Sequence, residues 1–186
     1  MAGKRAVISV WDKTGLTDFG RFLVGRGFEL LSTSGSADAL RRAGIPVTEV
    51  AEFTGAPEIL GGRVKTLHPR IAGGILTVRQ DPGIEPIDMV VCNLYPFEQG
   101  LARGAGMAEL VELIDIGGVT LLRAGAKNHA FVTVVPGPDW YGVVKSEFEQ
   151  HGQVRPETRL QMAALAFETT ARYDAAIAAY FRGRAG

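Results

Sequence analysis

Cysteine is almost absent from this 186-residue chain, where Cys92 stands alone. One thiol cannot form an internal disulfide framework, so a reducing compartment suits the chain. Excess charge of one sign is missing too, because 20 Lys and Arg balance 20 Asp and Glu. A neutral chain has no global field for a nucleic-acid backbone, and no aromatic residues interleave with a basic run, so a nucleic-acid partner is disfavoured. A phosphate-bearing ligand would have to be met by a local basic pocket. Long hydrophobic runs are lacking as well. The apolar segment 6–10 follows Lys4 and Arg5 and is too short for a signal peptide or a membrane span, so a cytoplasmic protein without a membrane partner is expected. No repeat and no Ser- or Pro-rich linker divides the chain, which reads as one domain over 1–186.

Hydrophobic residues make up 46% of the chain, enough for a substantial core. Short apolar runs alternate with stretches of helical period. Residues 6–10 read as a buried strand and 12–15 as the loop after it. Leu16, Phe19, Phe22 and Leu23 then recur at helical spacing until Gly27. Residues 29–31 give a second strand, followed by the loop Ser32-Thr33-Ser34-Gly35-Ser36 and a helix over 37–43 closed by Gly44. Further strands are expected at 47–50, 74–78, 87–92 and 131–135. From Pro156 the chain is alanine-rich and helical, and 182–186 read as a frayed end. Strands alternating with helices predict an α/β fold with a mainly parallel sheet between helical layers, whose ligands sit at the carboxyl ends of the strands.

The loops after the first two strands offer similar chemistry. Ser9, Asp12, Lys13 and Thr14 surround one strand-to-helix turn, and Ser32, Ser34, Gly35 and Ser36 another, where free N–H groups and the helix dipole favour an anion. Neither has Walker or dinucleotide glycine spacing, and Ser32 or Ser36 alone reads equally well as an N-cap. The densest segment is Gly61-Gly62-Arg63-Val64-Lys65-Thr66-Leu67-His68-Pro69-Arg70, with three cations, a histidine and no acid. Such a patch in a neutral protein points to an anionic ligand, and its paired glycines let backbone approach closely. His68 is either a general base or an orienting partner. With His129 and His151 it has no metal-ligand spacing, so no metal is expected.

Cys92-Asn93-Leu94-Tyr95-Pro96-Phe97 follows a strand. Asn93 can read the edge of a carboxamide or cap a turn; Tyr95 can stack, donate a proton or merely pack; and Tyr95–Pro96 is a candidate cis bond. Asp115-Ile116-Gly117-Gly118 opens a helix over 119–126 that is followed by Lys127. Asp115 alone is best read as an N-cap and Lys127 as a cation facing the dipole. If both face one pocket, they form a carboxylate–ammonium proton shuttle.

Together these segments resemble the cyclohydrolase domain of the bifunctional purine biosynthesis protein. Lys65-Thr66-Leu67-His68-Pro69, Asn93-Leu94-Tyr95-Pro96-Phe97 and Asp115-Ile116-Gly117-Gly118-Val119-Thr120 carry the likeness. Ser9 through Gly15, Ala126-Lys127-Asn128-His129 and Thr170, Tyr173 and Asp174 fit in collinear order. The resemblance implies a methylglyoxal synthase-like three-layer sandwich with C-terminal helices. It implies a homodimer, and a reaction without cofactor or metal that closes 5-formamidoimidazole-4-carboxamide ribonucleotide to IMP. The chemistry falls on Lys65, Tyr95, Asp115 and Lys127. Ser9, Asp12, Lys13, Thr14, Ser32, Ser34, Gly35 and Ser36 would hold the phosphate; Arg63, Thr66, Cys92, Asn93, Ile116 and Gly117 would line base and ribose. Ser-Thr-Ser-Gly-Ser departs from the family's Thr-Gly-Gly-Thr character, Ala72 stands where histidine is usual, and the connection 79–86 is short. The AICAR transformylase half lies outside the sequence and would act as a separate or detached partner. A non-catalytic module sensing a phosphorylated metabolite is the alternative from another class, and methylglyoxal synthase the enzymatic rival.

Overall fold

The computed structural model describes residues 3–184. Strand β1, Lys4–Val10, leads through helix α1, Leu16–Gly25, to β2, Phe28–Ser32, and through α2, Ser34–Arg42, to the two-residue β3, Thr48–Glu49. Helices α3, Val50–Thr54, and α4, Pro69–Leu76, precede β4, Met89–Asn93. Then follow α5, Phe97–Ala102; α6, Met107–Glu112; and α7, Gly117–Lys127. Strand β5, Thr133–Val135, leads to α8, Tyr141–His151, and the long α9, Pro156–Arg182.

The strands form one parallel sheet in the order β3-β2-β1-β4-β5, with Ile8 opposite both Ser32 and Val91. Central strands buried on both faces need apolar residues throughout, and Ala6, Val7, Ile8, Val90, Val91 and Cys92 are fully buried. The order steps outward from β1 to β3 and then reverses to β4 and β5. Right-handed crossovers therefore send α1 and α2 to one face and α4 and α7 to the other. On the first face Phe19 of α1 stacks on Tyr141 of α8, ring centroids 4.2 Å apart. On the second α9 packs against α7 and β5. The expected three-layer α/β/α sandwich with C-terminal helices is what the chain forms.

The strand expected at 74–78 is a correction, since residues 74–76 end α4 and residues 77–78 follow it outside the sheet. His68 caps the helix by accepting the Arg70 N–H on Nδ1 at 3.1 Å, Pro69 takes its first turn, and Ile71, Gly74 and Ile75 point inward at helical spacing. A Cβ on Gly74 would stand 2.7 Å from the Glu85 carbonyl, so glycine here admits close packing rather than marking a strand. The strand at 47–50 shrinks to β3, with Val50 starting α3, and the Tyr95–Pro96 bond is trans. Of the expected frayed end, Arg182 closes α9 and Gly183–Arg184 turn, while residues 185 and 186 lie outside the described residues. Among the described residues no helix is long and apolar enough to cross a membrane.

Candidate active site

The reversal of strand order falls between β1 and β4, and in open parallel sheets the crevice outside such a point is where ligands bind. A cleft of about 520 Å³ opens there, a size suited to a mononucleotide. One end is built by the loops after β1 and β2. The N-terminus of α2 points into it with no side chain capping it, so its first N–H groups and dipole face the space where an anion would sit. Ser9, Lys13, Thr33, Gly35 and Ser36 line this end. The Thr33 and Ser9 hydroxyls are 3.4 Å apart, and a Cβ on Gly35 would meet nothing within 4 Å.

Not every serine faces that space. The Ser32 hydroxyl is fully buried and donates to the Ile8 carbonyl at 2.9 Å, tying β2 to β1 rather than reaching a ligand. Ser36 shares its hydroxyl between the N–H and the carbonyl of Val10, both at 3.1 Å, and so fixes the end of β1 against α2. Neither caps a helix. Asp12 and Thr14 also turn on each other: the Asp12 carboxylate accepts the Thr14 hydroxyl at 2.7 Å and its N–H at 2.9 Å, and those bonds hold it below the usual carboxylate range. Neither lines the cleft, whereas Lys13 does, its ammonium 3.2 Å from the Trp11 carbonyl.

Asn93 lines the cleft and also serves the backbone beside it. Its side-chain oxygen accepts the N–H groups of Trp11 and Asp12 at 2.8 and 2.9 Å, and its amide donates to the Asp12 carbonyl at 2.9 Å. All three contacts clamp the β1–α1 loop, so the side chain holds that loop while it lines the cleft. Cys92, by contrast, is absent from the lining. It is fully buried, its thiol lies 3.6 Å from the Gly118 carbonyl, and burial pushes its pKa far up, so it remains a neutral packing group.

The second wall comes from residues 61–67. Gly61 and Gly62 have φ of +63° and +89°, and a Cβ on Gly62 would stand 2.7 Å from Cε of Lys65, so glycine lets the lysine chain pass. Lys65 is largely buried, 3.3 Å from the Ser34 hydroxyl and 3.4 Å from Glu58. Arg63 pairs with Glu112, so the segment that lacks acids in sequence is met by acids from elsewhere.

The third wall is the start of α7. The Asp115 carboxylate accepts the Gly118 N–H at 2.6 Å and, more loosely, the Tyr95 N–H at 3.4 Å. Burial raises its pKa against the opposing pull of those two bonds. Both Asp115 and Tyr95 line the cleft, and Trp11 meets the Tyr95 ring edge-on at 5.4 Å. Thr66 is buried beside Gly117, whose missing Cβ would fall 2.6 Å from its hydroxyl oxygen. Ile116 is exposed at the rim.

The structure thus brings Lys65, Tyr95 and Asp115 to one cleft and leaves Lys127 out. Lys127 is exposed at the last turn of α7, while Asp115 precedes its first. At 1.5 Å per residue the helix separates them by about 15 Å, so the expected carboxylate–ammonium shuttle does not form within one chain. Sequence reasoning missed Thr33, although it stands in the hydroxyl-rich loop, and Trp11, whose signal was an aromatic just past a strand's carboxyl end. Among the described residues no three His, Cys, Asp or Glu side chains gather as a metal site.

A parallel sheet with a cleft at its reversal point defines the class, and comparison with known proteins agrees. The chain belongs to the MGS-like domain family, whose model matches residues 15–120. Residues 125–186 match the AICARFT/IMPCHase bienzyme family, in line with the resemblance that the three motifs carried. The bifunctional purine biosynthesis protein PurH of Persephonella marina is 50% identical over 193 residues, and that of Rhodospirillum rubrum 52%. These alignments cover 99% and 98% of this chain but 38% and 37% of those proteins, so the chain spans little more than a third of their length. A crystal structure of ForH superposes with a TM-score of 0.81 at 35% identity, covering 97% of this chain and 100% of that one.

Proposed function

We propose that this chain is an IMP cyclohydrolase of purine biosynthesis, closing 5-formamidoimidazole-4-carboxamide ribonucleotide to IMP with loss of water. The observation that carries the reading is a partly buried carboxylate, Asp115, with raised proton affinity, facing a cleft whose other end is an uncapped helix N-terminus. That pairing suits a substrate with a phosphate at one end and a weakly acidic amide at the other.

An amide nitrogen is a feeble nucleophile, so holding it against the formyl carbon is the first contribution and can supply about 7–11 kcal/mol. As the N–C bond forms, one proton leaves the carboxamide nitrogen and the formyl oxygen gathers negative charge. Asp115 takes that proton, and Lys65 with the backbone around Thr66 donates to the oxygen; one such donor is worth roughly 3–4 kcal/mol. The carbinolamine then loses the formamido N–H proton while its hydroxyl departs as water, so both nitrogen-borne protons end on the former formyl oxygen. Tyr95 packs on the ring and completes the relay. The phosphate rests on Ser9, Thr33, Ser34, Gly35 and Lys13 with the α2 dipole behind it. Homodimerisation, a transformylase partner that supplies the formylated substrate, and a cytoplasmic setting belong to the same proposal.

Turnover of the formamido ribonucleotide by the purified chain, followed in the ultraviolet without added metal, tests it. Asp115→Asn keeps the shape but removes the base and should lower kcat by about 10²–10⁴-fold. A folded variant that turns over at the wild-type rate would remove Asp115 from the chemistry.

A further inference from the structure

Among the described residues one buried hydroxyl is devoted to the loop that carries the proposed base, and it comes from a helix remote in sequence. The Tyr173 hydroxyl, on α9, accepts the backbone N–H of Asp115 at 2.9 Å and donates to the Leu113 carbonyl. The ring is 5% exposed and meets Phe97 edge-on, centroids 6.3 Å apart. The segment between α6 and α7 has little regular bonding of its own. Leu113 and Ile114 donate back into the last turn of α6, and α7 has not yet begun. The Asp115 N–H therefore finds its acceptor on α9.

We propose that Tyr173 is a positioning residue of the active site, fixing the backbone of Asp115 so that its carboxylate faces the cleft; this rests on the cyclohydrolase reading. Tyr173 does not line the main cleft. It stands behind Asp115, lining a smaller recess of about 260 Å³ on the far side of Tyr95 and Trp11, so it acts through the loop and not on substrate. The division of labour is geometric. Gly118 and Tyr95 N–H groups orient the two carboxylate oxygens, and Tyr173 holds the chain that carries them. The ionisable groups around the pair are Cys92 on β4, Tyr95 after it, and Asp174 beside Tyr173 on α9. Burial keeps the Tyr173 phenol protonated, its pKa pushed up to about 12, so the hydroxyl remains a donor to Leu113 throughout the working range.

Tyr173→Phe keeps the ring and removes only the hydroxyl. Tyr180→Phe is the matched control, because Tyr180 packs in the same aromatic cluster and its buried hydroxyl has no partner. Loosening the loop admits water to Asp115, weakens the burial that raises its pKa, and moves the acid limb of the kcat profile to lower pH. Tyr173→Phe should therefore lower kcat by about tenfold or more, leave KM within about twofold, and shift that limb by about half a pH unit, while Tyr180→Phe does none of these. Unchanged kcat, or a loss of kcat with an unmoved limb and a lowered melting temperature, would overturn the proposal, the latter by showing a merely structural role. Amide hydrogen exchange keeps the result separate from the fate of the cyclohydrolase reading. Even in a chain without ring-closing activity, the Asp115 amide should exchange faster in Tyr173→Phe and not in Tyr180→Phe, and equal protection in both variants would refute the contact.

Discussion

A single methyl group at position 118 probes the proposed site without replacing any ionisable side chain. A Cβ built there would lie 2.5 Å from one Asp115 carboxylate oxygen, 2.9 Å from its carbon and 2.9 Å from Cδ2 of Leu94. Gly118→Ala therefore cannot leave the carboxylate in place. Either Asp115 swings away and weakens the 2.6 Å bond from the Gly118 N–H, or the first turn of α7 shifts. Overpacking of this kind costs about 1–3 kcal/mol, and a strained charge-assisted hydrogen bond adds up to ~2 more. Against this stands up to ~1 kcal/mol of helix propensity gained on replacing glycine by alanine. The balance is a loss of roughly 1–3 kcal/mol in unfolding free energy, with kcat falling by about tenfold or more because the proposed base is displaced. Gly142 in α8 gives the comparison: a Cβ there meets nothing within 4 Å, so Gly142→Ala should be neutral or stabilising by a few tenths of a kcal/mol with activity intact. Urea unfolding and the ultraviolet assay read both variants. If Gly118→Ala behaves like Gly142→Ala in both, the close approach of α7 to Asp115 has no energetic reality.

Lys127→Ala should leave ring closure within about twofold of wild type, since the side chain leaves the far end of α7; a loss of a hundredfold or more would mean that it serves a cleft on another molecule. The Glu147 carboxylate accepts the Arg155 N–H at 2.8 Å and its guanidinium at 2.7 Å, and these bonds hold its pKa down at about 2, against an ordinary value of 4.5. A depressed carboxylate stabilises the fold fully above its unfolded pKa and loses that contribution as pH falls through the folded one. Stability measured between pH 4.5 and 2 should thus fall less steeply in Glu147→Gln than in wild type, and identical slopes would show the pair to be energetically silent.

The central strands were legible because strands covered on both faces must be apolar throughout, which leaves an unmistakable run at 6–10 and 87–92. The strand expectation at 74–78 fails for the same reason, because it continues the apolar stretch 71–76. Ile-Ala-Gly-Gly-Ile-Leu is also an apolar run, and period cannot separate strand from buried helix over six residues. His68-Pro69 just ahead was the deciding signal, a cap followed by proline at the first turn. The site divided similarly. Hydroxyls and glycines marked the loops, but a serine in a loop has two sides, and only tertiary contacts reveal that Ser32 faces the Ile8 carbonyl while Thr33 faces the cleft. The exclusion of Lys127 was available from elementary geometry, since a helix that starts after Asp115 must carry a residue twelve positions on to its other end. Tyr173 was beyond reach, because nothing along the chain says that a phenol on α9 meets an amide 58 residues earlier.

Under the proposed cyclohydrolase reading, Asp115 shows why treating a residue as either cap or catalyst poses a false choice. The carboxylate does bond the N–H of the third residue on, which is what a cap does. That bond favours the ionised form, while burial favours the neutral one, and burial prevails. A base that must be ionised before the reaction and protonated after it needs both influences. A freely solvated carboxylate would be too weak to accept an amide proton, and one buried without donors would already hold a proton near neutrality. Placing the carboxylate at the mouth of α7 supplies the donors from backbone, which cannot be lost to side-chain rotation, and substrate that expels water from the cleft strengthens burial only once it is bound. The same two glycines that admit this geometry, Gly117 against Thr66 and Gly118 against Asp115, explain why the motif has no room for a side chain at either position.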